Sequence, residues 1–311
     1  MVAATKQFGW AVIGLLLLLV WPARADQPLL LLTAGQGQVQ LGQHLQLLAD
    51  PGKQLTFAEV SSPAYNDAFV AATVNTPQFG YTSAAHWARF SVRNSSPANR
   101  NWLLEVSDAT LDSLRLYLLP AGSSTPALVV HTGDLLPRST RPVEYHHFVF
   151  DLPLEPNRDY TVYLRVENQG ATSLPLTLWS PPAFAEHKAA SLFWSGFSLG
   201  FIVIMVCFHL VLLLFLREAM YLFYIVAVAS LGFYFAVLDG LAAQYLWPNQ
   251  LWWGNVAILV FIGLSLMGGI QFGVRFLQLA SFAPRLDKNL RGLSLLVWGA
   301  LVLAILPGFY R

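Results

Sequence analysis

The sequence predicts an exported β-sandwich, followed by an α-helical transmembrane bundle. Up to residue 185, short stretches alternate between apolar and polar residues, which is typical of strands. From residue 191 onward, long apolar runs without charged residues follow, which is typical of membrane-spanning helices. The composition agrees, because a chain with 55% hydrophobic residues, only 11% charged residues and a mean hydropathy of +0.51 is too apolar for an ordinary soluble domain.

Residues 1–25 predict a signal peptide. Lys6 supplies a short basic start, residues 11–20 form an apolar core, and Ala23 and Ala25 fit an A-x-A cleavage site. We therefore expect cleavage after Ala25. An uncleaved N-terminal anchor is the alternative, and both versions export the residues that follow.

The cysteine count argues against a disulfide-stabilised or cysteine-metal protein, and the charge argues against a nucleic-acid-binding protein. The single cysteine, Cys207, lies in an apolar run, so one copy of the chain can form neither a disulfide framework nor a cysteine metal site. The formal net charge is +1, and the 18 basic residues are not gathered into one block. We expect no nucleic-acid partner.

Residues 26–185 predict the sandwich domain, with strands separated by turn residues. In the three clearest strand patterns, one face is apolar and the other carries arginine and aromatic residues. The residues of the apolar face are Ala88, Phe90, Val92, Leu114, Leu116, Leu118, Val162, Leu164 and Val166. We expect this face to form the core between two sheets.

The opposite face of these strands is the candidate ligand-binding surface. Its residues are Trp87, Arg89, Arg115, Tyr117, Tyr163 and Arg165. Arginine forks bind carboxylates or hydroxyls, and flat aromatic rings stack on the apolar face of a sugar. The residues meet only if their strands are neighbours, and the alternative for any one of them is an ordinary position on the solvated face of a sheet.

The histidines of this domain do not predict a metal site. His146 and His147 are adjacent, and adjacent residues of a strand point to opposite faces. His131 is distant in sequence. We expect no metal and no other cofactor.

Four apolar runs predict transmembrane helices, at residues 191–216, 219–238, 251–274 and 293–310. The connection from Arg275 to Arg291 holds four basic residues and one acidic residue, whereas the connection from Asp239 to Gln250 holds no Lys or Arg. By the positive-inside rule the first of these connections is cytoplasmic, so the sandwich lies outside. We expect a multi-pass membrane protein with an exported N-terminal domain, in contact with the lipid of its membrane.

The sequence contains no recognisable catalytic or transport machinery. It has no H-E-x-x-H, P-loop or dinucleotide fingerprint, so we expect no enzyme. His209 and Asn255 are the main polar residues within the apolar runs, and a solute path usually needs several such groups facing one another.

Several segments, in this order, resemble those of bacterial seven-transmembrane receptors with diverse intracellular signalling modules. They are Phe79-Gly80-Tyr81, His86-Trp87-Ala88-Arg89-Phe90-Ser91-Val92-Arg93-Asn94, Trp102-Leu103-Leu104-Glu105-Val106, Leu111-Asp112-Ser113-Leu114-Arg115-Leu116-Tyr117, Leu174-Pro175-Leu176-Thr177-Leu178-Trp179 and Asp239-Gly240-Leu241-Ala242-Ala243-Gln244-Tyr245-Leu246-Trp247-Pro248. The resemblance implies a sandwich of the jelly-roll type, similar to carbohydrate-binding modules. It places this domain in the periplasm and the helices in the lipid of the bacterial inner membrane. It also implies seven helices that lead to a diguanylate cyclase, a histidine kinase or a similar output module. The sequence stops at Arg311, after the fourth predicted helix, so we expect a fragment or a truncated relative that acts through a partner.

Taken with the resemblance, the sequence predicts a membrane receptor. Its sandwich senses a periplasmic ligand, a glycan or another small molecule that is expected to be carbohydrate-like, and its helices relay the signal to a cytoplasmic module. A membrane-anchored module that binds carbohydrate or cell wall without signalling is the alternative. The expected protein partners are a second copy of the chain or a cytoplasmic signalling protein.

Overall fold

The computed structural model describes residues 29–97 and 100–305, and the predicted signal peptide lies outside the described residues. The strands are β1 Leu30–Leu32, β2 Gln38–Gln40, β3 Gln46–Asp50, β4 Val70–Ala71, β5 Gln78–Tyr81, β6 Ala85–Asn94, β7 Asn101–Val106, β8 Ser113–Pro120, β9 Leu128–Thr132, β10 Phe148–Pro153, β11 Asp159–Glu167, β12 Ala171–Ser173 and β13 Leu176–Trp179.

These strands form two facing sheets and one small separate pair. The larger sheet has the order β4-β3-β6-β11-β8-β9, and β1 pairs in parallel with the end of β6. The smaller sheet has the order β10-β7-β13-β2, while β5 pairs with β12. Adjacent strands along both main orders are antiparallel. The predicted strand-rich domain is confirmed.

The core lies between the two sheets. All nine residues of the predicted apolar face belong to it. The smaller sheet contributes Trp102, Leu104, Val106, Phe148, Phe150, Leu152, Leu176 and Leu178. Burial of this apolar surface is the main stabilising term of the sandwich, at roughly 25 cal/mol per Å².

A short segment covers the outer face of the larger sheet. Thr56 and Glu59 form a reciprocal capping box that starts helix α1, Phe57–Val60, and a 3-10 helix follows at Pro63–Ala68. Val60 and Phe69 are buried against the sheet. We call residues 51–69 the cover.

Six helices follow the sandwich among the described residues: α2 Pro181–Leu216, α3 Ala219–Leu238, α4 Leu241–Tyr245, α5 Leu251–Phe276, α6 Leu279–Phe282 and α7 Pro284–Ile305. Within that part of the chain, α2, α3 and α5 are long and apolar enough to cross a membrane. The helix predicted to start at residue 191 starts at Pro181. The predicted span at 293–310 coincides with the second half of α7, and its last five residues lie outside the described residues.

Helices α3 and α5 approach each other closely at Gly268. A Cβ atom at this position would lie 2.7 Å from the backbone N of Ala227 and 2.9 Å from the carbonyl O of Phe223. The neighbouring Gly269 has no heavy atom within 4 Å of the same ideal position. A small residue at position 268 therefore permits the backbone contact, as in other membrane helix pairs.

We expect Gly268→Ala to separate α3 from α5 and to lower the stability of the bundle by about 1–3 kcal/mol. Gly269→Ala is the matched control, because both changes raise helix propensity equally. The measurement is the apparent melting temperature of the full chain in detergent. Equal melting temperatures for the two variants would contradict this packing.

Candidate functional site

The six predicted ligand-binding residues lie on one face of three neighbouring strands. Strand β11 lies between β6 and β8. The paired positions are Arg165 with Trp87 and Arg115, and Tyr163 with Arg89 and Tyr117. The condition that these strands be neighbours is therefore met.

Four of the six residues are not open to solvent. The exposed fractions are 0% for Trp87, 2% for Arg89, 4% for Tyr163 and 7% for Arg165. The expectation of a solvated face is wrong for these four, because residues of the cover pack on top of them. Tyr117 is partly buried, and Arg115 remains exposed.

Arg89 fixes the cover to the sheet. Its Nε donates to Gln46 Oε1 at 2.8 Å, its Nη1 donates to Asn66 Oδ1 at 2.8 Å, and its Nη2 donates to the Asn66 carbonyl at 3.2 Å. The guanidinium also lies 3.9 Å above the ring of Phe69. A buried arginine with these partners holds the 3-10 helix of the cover in place.

Arg165 holds the start of the cover. It pairs with the carboxylate of Glu167 and donates from Nη2 to the Lys53 carbonyl at 3.2 Å. The Nζ of Lys53 in turn lies 3.4 Å from Oε2 of Glu167. Arg165 therefore links strand β11 to the chain that leads into α1.

The uncovered part of the same face is small. At its edge, Arg115 and the partly buried Tyr117 on β8 pair with the exposed His131 and Val129 on β9. The ring of Tyr117 stacks on Phe57 with 4.4 Å between centroids and 14° between planes, so its orientation is fixed. We call these four residues the open margin.

A second polar cluster lies where the sandwich meets the helices, around the buried Glu105 of β7. This carboxylate is 1% exposed and accepts hydrogen bonds from Trp179 Nε1 and from the ring of His147, both at 2.8 Å. His187 of α2 places its Nε2 at 3.4 Å from the same side chain. One carboxylate thus connects the end of β13 and the segment before β10 to α2, the first transmembrane helix.

Asp239, which directly follows α3, extends this cluster. Its Oδ1 lies 3.6 Å from His147 Nε2 and 3.9 Å from His146 Nε2, and its Oδ2 accepts a hydrogen bond from Ser195 at 3.2 Å. Gly240 has a φ of +77°, and a Cβ there would lie 2.5 Å from the His146 carbonyl O. The turn after α3 therefore sits directly against residues 145–147. We call Glu105, His146, His147, Trp179, His187 and Asp239 the junction cluster.

The prediction that the two adjacent histidines diverge is wrong. Both lie in the irregular segment before β10, so the alternation of a strand does not apply to them. Their ring centroids are 4.3 Å apart. His146, His147 and Asp239 each offer one potential ligand atom within 4.8 Å of the others.

Charge in the junction cluster is arranged around His147. Burial opposes protonation of this ring, but the carboxylates of Asp239 and Glu105 raise the pKa of His147 to about 9. Burial, with the neighbouring charge of His147, lowers the pKa of His146 to about 4. Burial by itself raises the pKa of Glu105, but the hydrogen bond and charge of His147 hold that pKa below its ordinary value. A cation between two carboxylates is therefore the favoured state near neutral pH.

A cavity of about 810 Å³ adjoins the junction cluster. Its polar lining is Ser107, His147, Ser195, Ser198 and Asp239, and its apolar lining comes mainly from α2 and α3. Sequence reasoning could not find this site, because Glu105 is separated by many residues from His147, Trp179 and His187 along the chain.

We expect Arg89→Ala to loosen the cover, because Gln46 and Asn66 would each lose a buried partner at a cost of about 1–3 kcal/mol. Arg115→Ala is the matched control and should change stability by less than about 0.5 kcal/mol. The measurement is amide hydrogen exchange of the full chain, which reports opening of the cover. We expect faster exchange at residues 57–68 in the Arg89→Ala variant and not in the Arg115→Ala variant. Unchanged protection there would refute the anchoring role.

Two comparisons with protein families bear on identity. The model described as 7TMR-DISM extracellular 2 matches residues 42–180, and the model described as 7TM diverse intracellular signalling matches residues 191–311. No curated protein matches the chain. The two matches lie side by side, and the junction cluster joins the region of one to the region of the other. They confirm the resemblance seen in the sequence, and the chain belongs to the 7TMR-DISM family, whose members are transmembrane receptors with an extracellular sensor domain.

Proposed function

We propose that this chain is the sensing and membrane-relay part of a bacterial inner-membrane receptor. The periplasmic sandwich binds a carbohydrate-like ligand, and the helices pass the change to a cytoplasmic signalling module. The chain itself catalyses no reaction. The observation that carries the proposal is the direct join between sandwich and membrane, where Ser180 alone separates β13 from α2.

The join is reinforced on both sides of Ser180. Trp179 ends β13 and His187 lies two turns into α2, and both contact Glu105. Their rings also stack, with 4.4 Å between centroids and 20° between planes. A rotation of α2 against the sandwich would break these contacts. Motion of α2 together with the sandwich, as one rigid unit, is therefore favoured.

The energy available for such a relay has a known scale. A ligand shifts the equilibrium between two arrangements only by its differential affinity for them. Coupling between distant sites is usually about 1–3 kcal/mol. Loss of one buried hydrogen bond to a carboxylate is of the same order, so rearrangement at Glu105 is an adequate switch.

The open margin supports a sugar as the ligand. Arg115 presents an exposed guanidinium that can donate two hydrogen bonds to hydroxyl or carboxylate oxygens. Tyr117 presents the edge of a ring fixed by its stack on Phe57, and His131 adds a further polar group across the strand pair. The buried residues Trp87, Arg89, Tyr163 and Arg165 then shape the surface from below and reach a ligand only if the cover opens.

We expect Arg115→Ala and Tyr117→Ala to weaken saccharide binding by about tenfold or more, because each removes one or more kcal/mol of contact. The assay is a glycan and cell-wall-fragment screen of the full chain in lipid nanodiscs, followed by calorimetric titration of any hit. Arg158→Ala, at an exposed turn, is the control and should bind normally. Failure of all saccharides to bind would refute the carbohydrate part of the proposal.

We expect a Gly-Ser-Gly insertion after Ser180 to uncouple the helices without affecting binding. The same insertion after Gly122, in an exposed turn, is the control. The measurement is the ligand-dependent change in hydrogen exchange at residues 277–291, which should vanish in the first variant only.

The same measurement separates the receptor from its alternative. Binding without any change in the helices of the unmodified chain would favour a membrane-anchored carbohydrate-binding module. A change that survives the insertion after Ser180 would place the relay elsewhere. Detection of a second copy or a cytoplasmic protein in the complex would identify the partner that receives the signal.

A further inference from the structure

We propose that the junction cluster holds a divalent transition-metal ion of the zinc class, ligated by His146, His147 and Asp239. The site would join the sandwich, which supplies both histidines, to the turn after α3, which supplies the carboxylate. It goes beyond ligand sensing, and its test requires no saccharide.

The distances suit a metal of this size. Asp239 Oδ1 lies 3.6 Å from His147 Nε2 and 3.9 Å from His146 Nε2. Bonds of about 2.0–2.2 Å in a tetrahedral site place ligand atoms roughly 3.3–3.5 Å apart. Shifts of a few tenths of an ångström would bring the carboxylate to that spacing from each ring, and the ligand atoms of all three residues already lie within 4.8 Å of one another.

His146 is the first independent indication of a ligand. Its side chain is fully buried, and among the described residues neither ring nitrogen has a hydrogen-bond partner. Leaving a buried polar group unsatisfied costs about 1–3 kcal/mol. Coordination through Nε2 would remove that penalty for the nitrogen that faces Asp239.

The surroundings of His147 are the second indication. Its Nδ1 lies 2.8 Å from Glu105 Oε1, while its Nε2 faces Asp239. A bound ion would replace the proton on Nε2, so a cation would still lie beside both carboxylates. Metal-bound histidines almost always direct their other nitrogen to a carboxylate or carbonyl, which fixes the ring and raises its basicity. Glu105 is in turn held by Trp179, and Ser195 donates to the other oxygen of Asp239.

The ligand types identify the metal class. Two imidazole nitrogens and one carboxylate suit zinc or a neighbouring transition metal, whereas calcium and magnesium prefer oxygen ligands. Three protein ligands leave one coordination position for water or a small ligand. The adjoining cavity, whose lining includes His147 and Asp239, has space for that fourth group.

The test uses the full chain, purified without a polyhistidine tag, stripped with a chelator and titrated with Zn²⁺. We expect one ion per chain. Asp239→Asn should weaken binding by at least about 100-fold, and Glu105→Gln by about 10–100-fold, as loss of an outer-shell partner does. His44→Ala, at a partly buried histidine of the 3-10 helix at residues 42–44 and outside the cluster, should bind normally.

Three outcomes would overturn the site: no zinc bound by the unmodified chain, equal affinity in the Asp239→Asn variant, or preference for Ca²⁺ over Zn²⁺. If Asp239→Asn does not fold, as judged by circular dichroism, Co²⁺ loading of the unmodified chain decides the question. Visible ligand-field bands of tetrahedral nitrogen and oxygen coordination support the site, and their absence refutes it.

Discussion

The structure depends most on the buried carboxylate of Glu105. It belongs to the smaller sheet, yet its partners come from the end of β13, from the segment before β10 and from helix α2. A buried charge is tolerated only while its partners remain, and removing one partner costs about 3–5 kcal/mol. Glu105 therefore helps to set the orientation of the sandwich on the first helix, with support from the apolar contact of Phe184 with Tyr145.

The sandwich is surrounded by water and the long helices by lipid, and the junction cluster lies between these two parts. In the sandwich, burial of apolar side chains between two sheets provides stability, because water surrounds the domain. Between the membrane helices that driving force is weak, and close contacts such as the one at Gly268 replace it. Polar contacts at the boundary join the two parts, together with a small apolar cluster that packs Phe184 of α2 against Tyr145, Val149 and Trp179 of the sandwich.

Sequence patterns predicted the elements that depend on local periodicity. The alternation around Phe90, Leu116 and Leu164 placed the core correctly, and the apolar runs located three spanning helices. The apolar run starts only at residue 191, but proline fits the first turn of a helix, where its missing N–H has no partner, so α2 starts already at Pro181. The sequence pattern did not predict the cover, because α1 is only four residues long and the segment is held by Arg89, which is distant in sequence. The sequence did not predict the junction cluster because its members meet only in the folded chain. In addition, the expected alternation of side chains along a strand does not apply to His146 and His147, which lie outside a strand.

The uninterrupted course of α2 makes it a lever. Its 36 residues correspond to about 54 Å at 1.5 Å per residue, well beyond the roughly 30 Å of a hydrocarbon core. The helix is fixed at one end to the sandwich through Ser180 and His187. A tilt of about 5° at that end would displace the far end by roughly 5 Å, given this length. A shift too small to disturb the sandwich core would thus become a displacement of about one helical turn at the far end of α2.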